Sequence, residues 1–170
     1  MKKLTILLLI IFSAALGTVK AVTPALTEDV NNVIKNYLAL KNALVIDNAP
    51  VAQACAATLL AAISTVSDKE MNAAQRKTWL AYADKLSFDS RHISETTDID
   101  HQREHFANLS VNILAVLKAL KLNTATLYKQ YCPMKKKYWL SEASAIKNPY
   151  YGSKMPTCGE TKETLQAVKL

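Results

Sequence analysis

Glycine is nearly missing from this chain of 170 residues. Gly17, Gly152 and Gly159 are the only three, and none falls between positions 22 and 121. With so little glycine there is no phosphate-cradling loop, and no local nucleophile signature appears either. Arginine is absent beyond Arg103, so the basic tail lacks the arginine and aromatic interleaving of a nucleic-acid surface. Three cysteines are too few for a disulfide framework. Acidic pairs occur only where helices are expected to start, and the helix dipole accounts for them there. These absences exclude the common enzyme classes, and the chain reads as a non-enzyme.

What is present begins with Lys2 and Lys3, an apolar run from Leu4 to Leu16, and small residues around Val19-Lys20-Ala21. That is the layout of a secretory signal peptide over 1–21, and its run is shorter than the about 20 residues a bilayer requires. No cysteine lies near the expected cleavage point, so a lipid anchor is not expected. The remainder, 22–170, is expected to be periplasmic or secreted, without stable membrane insertion, and to form one domain. The formal charge of +7 falls to +4 once Lys2, Lys3 and Lys20 are removed. Positions 22–121 hold 10 basic and 11 acidic residues; positions 122–170 hold eight lysines and three glutamates. Lys135-Lys136-Lys137 is the densest point and reads as a solvated turn.

Alanine and leucine dominate up to Lys121, and four amphipathic helices are expected. The first runs from near Thr27 to Val45, with Val30, Val33, Ile34, Tyr37, Leu38, Lys41 and Leu44 along one stripe. Asp47 or Asn48 caps the second, which tolerates Pro50 in its first turn and is expected to bury Val51, Cys55, Leu59, Ala62, Ile63 and Val66. A third begins near Met71 and carries Trp79, Ala83, Leu86 and Ile93. The fourth begins near Asp98 and has the clearest stripe: Phe106, Leu109, Ile113, Val116, Leu117 and Leu120. Short connections favour an antiparallel up-and-down bundle, so the predicted class is all-α: a four-helix bundle over 22–121 with an irregular extension over 122–170 folded back on it. Within that extension Leu127–Tyr131 and Tyr138–Leu140 read as short extended pieces, and Ser141–Ile146 as one helical turn. Tyr138, Trp139 and Tyr150 are expected to pack on the bundle.

The chemistry concentrates in that extension. Tyr131-Cys132-Pro133-Met134 and Met155-Pro156-Thr157-Cys158-Gly159 each place a thiol and a thioether within a few residues. Soft sulfur ligands of this kind select ions such as Cu(I). Equally, Cys132 and Cys158 could form a disulfide across 26 positions, stabilising the fold by roughly 3–4 kcal/mol in the chain-entropy picture; the methionines would then only pack. Both readings stand on the residues alone. Cys55 reads as a small buried hydrophobe. His101 and His105, four apart on the fourth helix, share a face and could grip one ion. The string His101-Gln102-Arg103-Glu104-His105 matches the H-x-x-E-H arrangement of inverted zinc proteases, but a protease would need a third ligand and a larger chain. His92 is given no role. Asn108-Leu109-Ser110 fits a glycosylation acceptor inside a helix and is discounted.

Beyond these readings the tail resembles a family. Tyr131-Cys132-Pro133-Met134, Trp139-Leu140-Ser141, Ile146 with Asn148-Pro149-Tyr150-Tyr151-Gly152, and Met155 with Cys158-Gly159 look like one uncharacterised bacterial domain family, chiefly of Bacteroidetes. Gln102-Arg103-Glu104-His105-Phe106 and Leu109-Ser110 fit its upstream part. The family is similar to the domain appended to periplasmic adaptor subunits of copper and silver efflux pumps, and it occurs alone as small secreted proteins. This chain departs from it in the three lysines before Tyr138, and it lacks the adaptor's hairpin and barrel domains. The resemblance implies heavy-metal handling at the envelope, with a soft ion, Cu(I) or Ag(I), as cargo and efflux components as partners. Cys132, Met134, Met155 and Cys158 are the matching positions; His105 is expected as an additional ligand because the tail is expected to pack on the fourth helix. The rival is a disulfide-stapled interaction module presenting Tyr138, Trp139, Tyr150 and Tyr151; exposure of those rings would favour it, and burial would count against it.

Overall fold

A computed structural model describes residues 24–168; the expected signal segment, 1–21, lies outside the described residues. Four helices come first: α1 (Pro24–Val45), α2 (Ala49–Thr65), α3 (Ala73–Ser94) and α4 (Ile99–Leu120). The starts of α2, α3 and α4 are marked by caps that sequence chemistry favours. Asn48 accepts from the Val51 N–H at the head of α2, Asn72 and Gln75 form a reciprocal capping box on α3, and Asp98 accepts from Asp100 and His101 on α4. The expected α1 stripe is buried at Val30, Val33, Ile34, Tyr37, Lys41 and Leu44. On α2 the buried face is Ala52, Ala56, Leu59, Ala62 and Ile63, whereas Val51 is exposed and Cys55 half-buried. That helix is alanine-rich all round, so its apolar residues do not single out a face. Successive helices pack on one another, and α1 meets α4 where Tyr37 stacks on Phe106 with ring centroids 5.2 Å apart. No helix among the described residues is long and apolar enough to cross a membrane.

The class is not all-α. After α4 the chain forms a three-stranded antiparallel sheet of β1 (Leu127–Cys132), β2 (Lys137–Ser141) and β3 (Glu160–Leu165), in the order β2-β1-β3. The two expected extended pieces are β1 and β2, joined by a turn through Lys135 and Lys136, both exposed. The third strand, Glu-Thr-Lys-Glu-Thr-Leu, is largely exposed; its pairing with the β1 backbone, rather than an apolar run, makes it a strand. Over the expected helical turn, Ser141–Ile146, Ser141 instead ends β2 and residues 142–145 are bends.

Polar contacts fasten this sheet lobe to the helices. Arg103, buried on α4, donates to the Pro149 carbonyl at 2.8 Å and the Leu44 carbonyl at 3.1 Å, and pairs with Asp47. Asp47 also accepts from the Ser153 N–H at 2.8 Å and from its hydroxyl. Lys41, 1 % exposed, reaches Glu142 at 2.8 Å. The Tyr37 hydroxyl bonds Ser110 at 2.7 Å and accepts from the Leu140 N–H at 3.1 Å, linking α1, α4 and β2. Trp139 and Tyr150 are buried, with Tyr150 against Phe106.

Candidate metal centre

Cys132 ends β1 and is fully buried; Cys158 lies in the loop before β3 and is half-buried. The fold brings the two thiols together. Burial first, and then the neighbouring Cys132 thiol, push the Cys158 thiol above its ordinary range. Both are free thiols. The Lys135 N–H donates to the Cys132 sulfur at 3.5 Å, so the β1–β2 turn folds over that side.

Asn148, fully buried, sets the position of Cys158. Its side chain donates to the Cys158 carbonyl at 2.6 Å and accepts from the Tyr150 N–H at 2.8 Å. Its backbone N–H bonds the Pro156 carbonyl at 2.8 Å, and its carbonyl takes the Gly152 N–H at 3.0 Å. Gly159 follows directly, and a Cβ there would lie 2.8 Å from the Trp139 ring and 3.0 Å from the Tyr131 carbonyl. Only a glycine lets the loop pass this close to Trp139. Sequence reasoning named Asn148 only among the residues of the family resemblance; a buried side chain closing a loop from both sides has no signal in one sequence.

The other predicted ligands are placed differently. Met134, in the turn two residues after Cys132, is 65 % exposed, and Met155, whose carbonyl accepts from the Cys158 N–H at 3.3 Å, is 40 % exposed. Both side chains are therefore largely open to solvent, each close to one of the cysteines in sequence. His105 lies on α4 with its aromatic and charged neighbours on α3 and α4: Asp89 at 2.9 Å, Phe88, His92 and His101.

His92, given no role from sequence, is one of three histidines whose ligand nitrogens lie within 4.8 Å of one another, the others being His101 and His105. The signal was available in outline. His92 and His101 are equidistant in sequence from the middle of the α3–α4 connection, and so are Phe88 and His105. An antiparallel pair of helices brings such positions face to face. The Glu104 of the H-x-x-E-H string is not in this group; it lines a separate cavity of about 330 Å³ with Asp100, Arg103, Lys135, Lys137 and Tyr150.

Residues 33–125 match the family described as "Protein of unknown function (DUF3347)", and the chain belongs to that family. The match covers most of α1 through α4 and stops just before β1. No curated protein and no solved structure matches the chain.

Proposed function

We propose that this chain is a non-catalytic heavy-metal-binding protein of the cell envelope, an accessory to metal efflux, and that its Cys132–Cys158 thiol pair takes a soft ion such as Cu(I) or Ag(I). The juxtaposition of two free thiols, one buried and one half-buried, carries this reading. Two thiolates suit a soft monovalent ion, and Met134 and Met155, near them in sequence, offer thioethers that need no deprotonation. Asn148 and Gly159 hold the Cys158 loop before any ion arrives, which lowers the ordering cost of binding. The role in efflux rests on the resemblance of the tail residues to domains appended to efflux adaptors.

Binding requires the thiols to lose protons, and the raised Cys158 thiol makes a proton a stronger competitor. Affinity therefore falls as the solution is acidified. The interaction-module reading draws less support: Trp139 and Tyr150 are buried and Tyr138 and Tyr151 half-buried, so these rings do not form an exposed aromatic face.

The test is a free-thiol count on the denatured chain, followed by anaerobic Cu(I) titration with and without reductant. One tightly held equivalent in the reduced chain, lost in Cys158→Ser, is the expected outcome. A Cys132–Cys158 disulfide whose reduction restores no tight Cu(I) binding sinks the proposal. A Met134→Leu, Met155→Leu double variant that binds like the original chain removes only the thioether part.

A further inference from the structure

The α3–α4 hairpin carries a second constellation, away from the thiols. His92 comes from the last turns of α3, and His101 and His105 from successive turns of one face of α4. His92 and His105 stack with ring centroids 4.6 Å apart and an interplanar angle of 7°, and His101 meets His105 edge-on at 4.8 Å. Phe88 covers one side, 4.3 Å from the His92 ring. Behind them Asp89, buried on α3, holds His105 Nδ1 at 2.9 Å. A carboxylate only accepts, so Nδ1 carries the proton and Nε2 of His105 is left as a lone pair. This is the carboxylate–imidazole arrangement that orients metal-bound histidines.

We propose that His92, His101 and His105 form a second metal site, one that takes a borderline divalent ion such as Zn(II) or Cu(II), with Asp89 as the positioning residue behind His105. Imidazole nitrogen suits these ions, as sulfur suits the softer ones. Tetrahedral zinc with Zn–N bonds of about 2.0–2.1 Å needs ligand nitrogens about 3.4 Å apart. The three donors here span up to 4.8 Å, so ligation closes them by about an ångström or more. His92 must turn out of its stack on His105 so that the lone pairs converge. His101 is exposed and His92 half-buried, so both have room to turn, while Asp89 keeps His105 fixed as the anchor. Three histidines leave a fourth position open to water, unlike the closed four-ligand sets of structural zinc sites. The site is independent of the thiol pair, and one chain would hold ions of two softness classes at once.

Two titrations of the full chain test this against a competing chelator, one with Co(II) as a spectroscopic probe and one with Zn(II). One equivalent of Co(II) is expected, with visible ligand-field bands and without the near-ultraviolet sulfur-to-metal charge-transfer bands of a thiolate site. His101→Ala and His92→Ala are each expected to weaken Zn(II) by at least the about 10–100-fold that follows loss of an outer partner. Asp89→Asn is expected to weaken it about 10-fold and to shift the Co(II) spectrum. Because His101 is exposed, its variant keeps the helix signal of the original chain, which separates lost ligation from lost folding. Cu(I) binding at the thiols is expected to be unchanged in the histidine variants, so failure of one site is distinguishable from failure of the other. No Co(II) or Zn(II) binding, binding in both histidine variants equal to that of the original chain, or a sulfur charge-transfer band would each overturn the proposal.

Discussion

The helical part and the sheet lobe are held by different forces. Across the four helices the contacts are apolar stripes: Leu40, Leu44, Leu59, Leu86, Ile93, Phe106 and Leu109 are fully buried. The lobe buries Leu127, Trp139 and Leu140, but its seam with the helices also runs through the Arg103–Asp47 and Lys41–Glu142 pairs and the Tyr37 hydroxyl. Burial of apolar surface is tolerant of small shifts, whereas buried charge is stable only in one arrangement. The helices therefore act as the platform, and the polar seam fixes where the thiol loop sits upon it.

The largest effect is expected where the two parts share a side chain. Phe106 touches Tyr37 on α1 and Tyr150 in the lobe, so Phe106→Ala should cost about 3–5 kcal/mol and lower the thermal midpoint of the whole chain in one transition. Two separate transitions would instead mean that helices and lobe unfold independently. Gly152→Ala comes next. It has φ of +54°, and a Cβ there would lie 2.0 Å from the Asp47 carboxylate and 2.5 Å from Arg103. The left-handed backbone and the overlap together should cost about 2–3 kcal/mol. The loss should appear as faster alkylation of Cys132 at an unchanged helix signal.

A smaller effect sharpens the contrast between pairing and packing. Glu142→Ala leaves the buried Lys41 ammonium without its carboxylate and should cost about 2 kcal/mol, moderated because Glu142 is 43 % exposed. Lys41→Met removes the charge itself and should change stability by less than about 1 kcal/mol, or raise it. Urea unfolding of the two variants separates these cases.

The smallest effect is a pH dependence of the same seam. The Ser153 hydroxyl first, with Arg103 adding and burial opposing, holds the Asp47 carboxyl at about 2. A depressed carboxyl stabilises the fold fully above its ordinary value of about 3.9, and that contribution is lost as pH falls towards 2. Thermal midpoints should therefore drop between pH 4 and pH 2, by less in Asp47→Asn than in the original chain.

These contrasts also explain what the sequence allowed one to read. The helices were legible because their stripes repeat at helical period and Asn48 and Asp98 announce two of the starts, while the Asn72 cap of α3 was not singled out. The buried face of α2 was not, since alanine all round gives no direction. β1 and β2 were visible as aromatic and aliphatic runs; β3 was hidden because its charged edge gains order only from β1. Cys132 and Cys158 were singled out in the sequence and lie near each other, while the exposure of Met134 and Met155 and the clamp at Asn148 depend on tertiary placement. His105 was read as a partner of the tail because α4 was expected to carry it. The lobe does pack on α4, yet His105 contacts α3, and one residue's turn around a helix decides between those faces.

The most direct test of two sites of different softness is X-ray absorption on the reduced chain loaded with Cu(I) and Zn(II) together. Sulfur scatterers around copper, and only nitrogen or oxygen at about 2.0–2.1 Å around zinc, are expected. Sulfur at about 2.3 Å around zinc, nitrogen alone around copper, or failure to retain either ion would contradict the assignment.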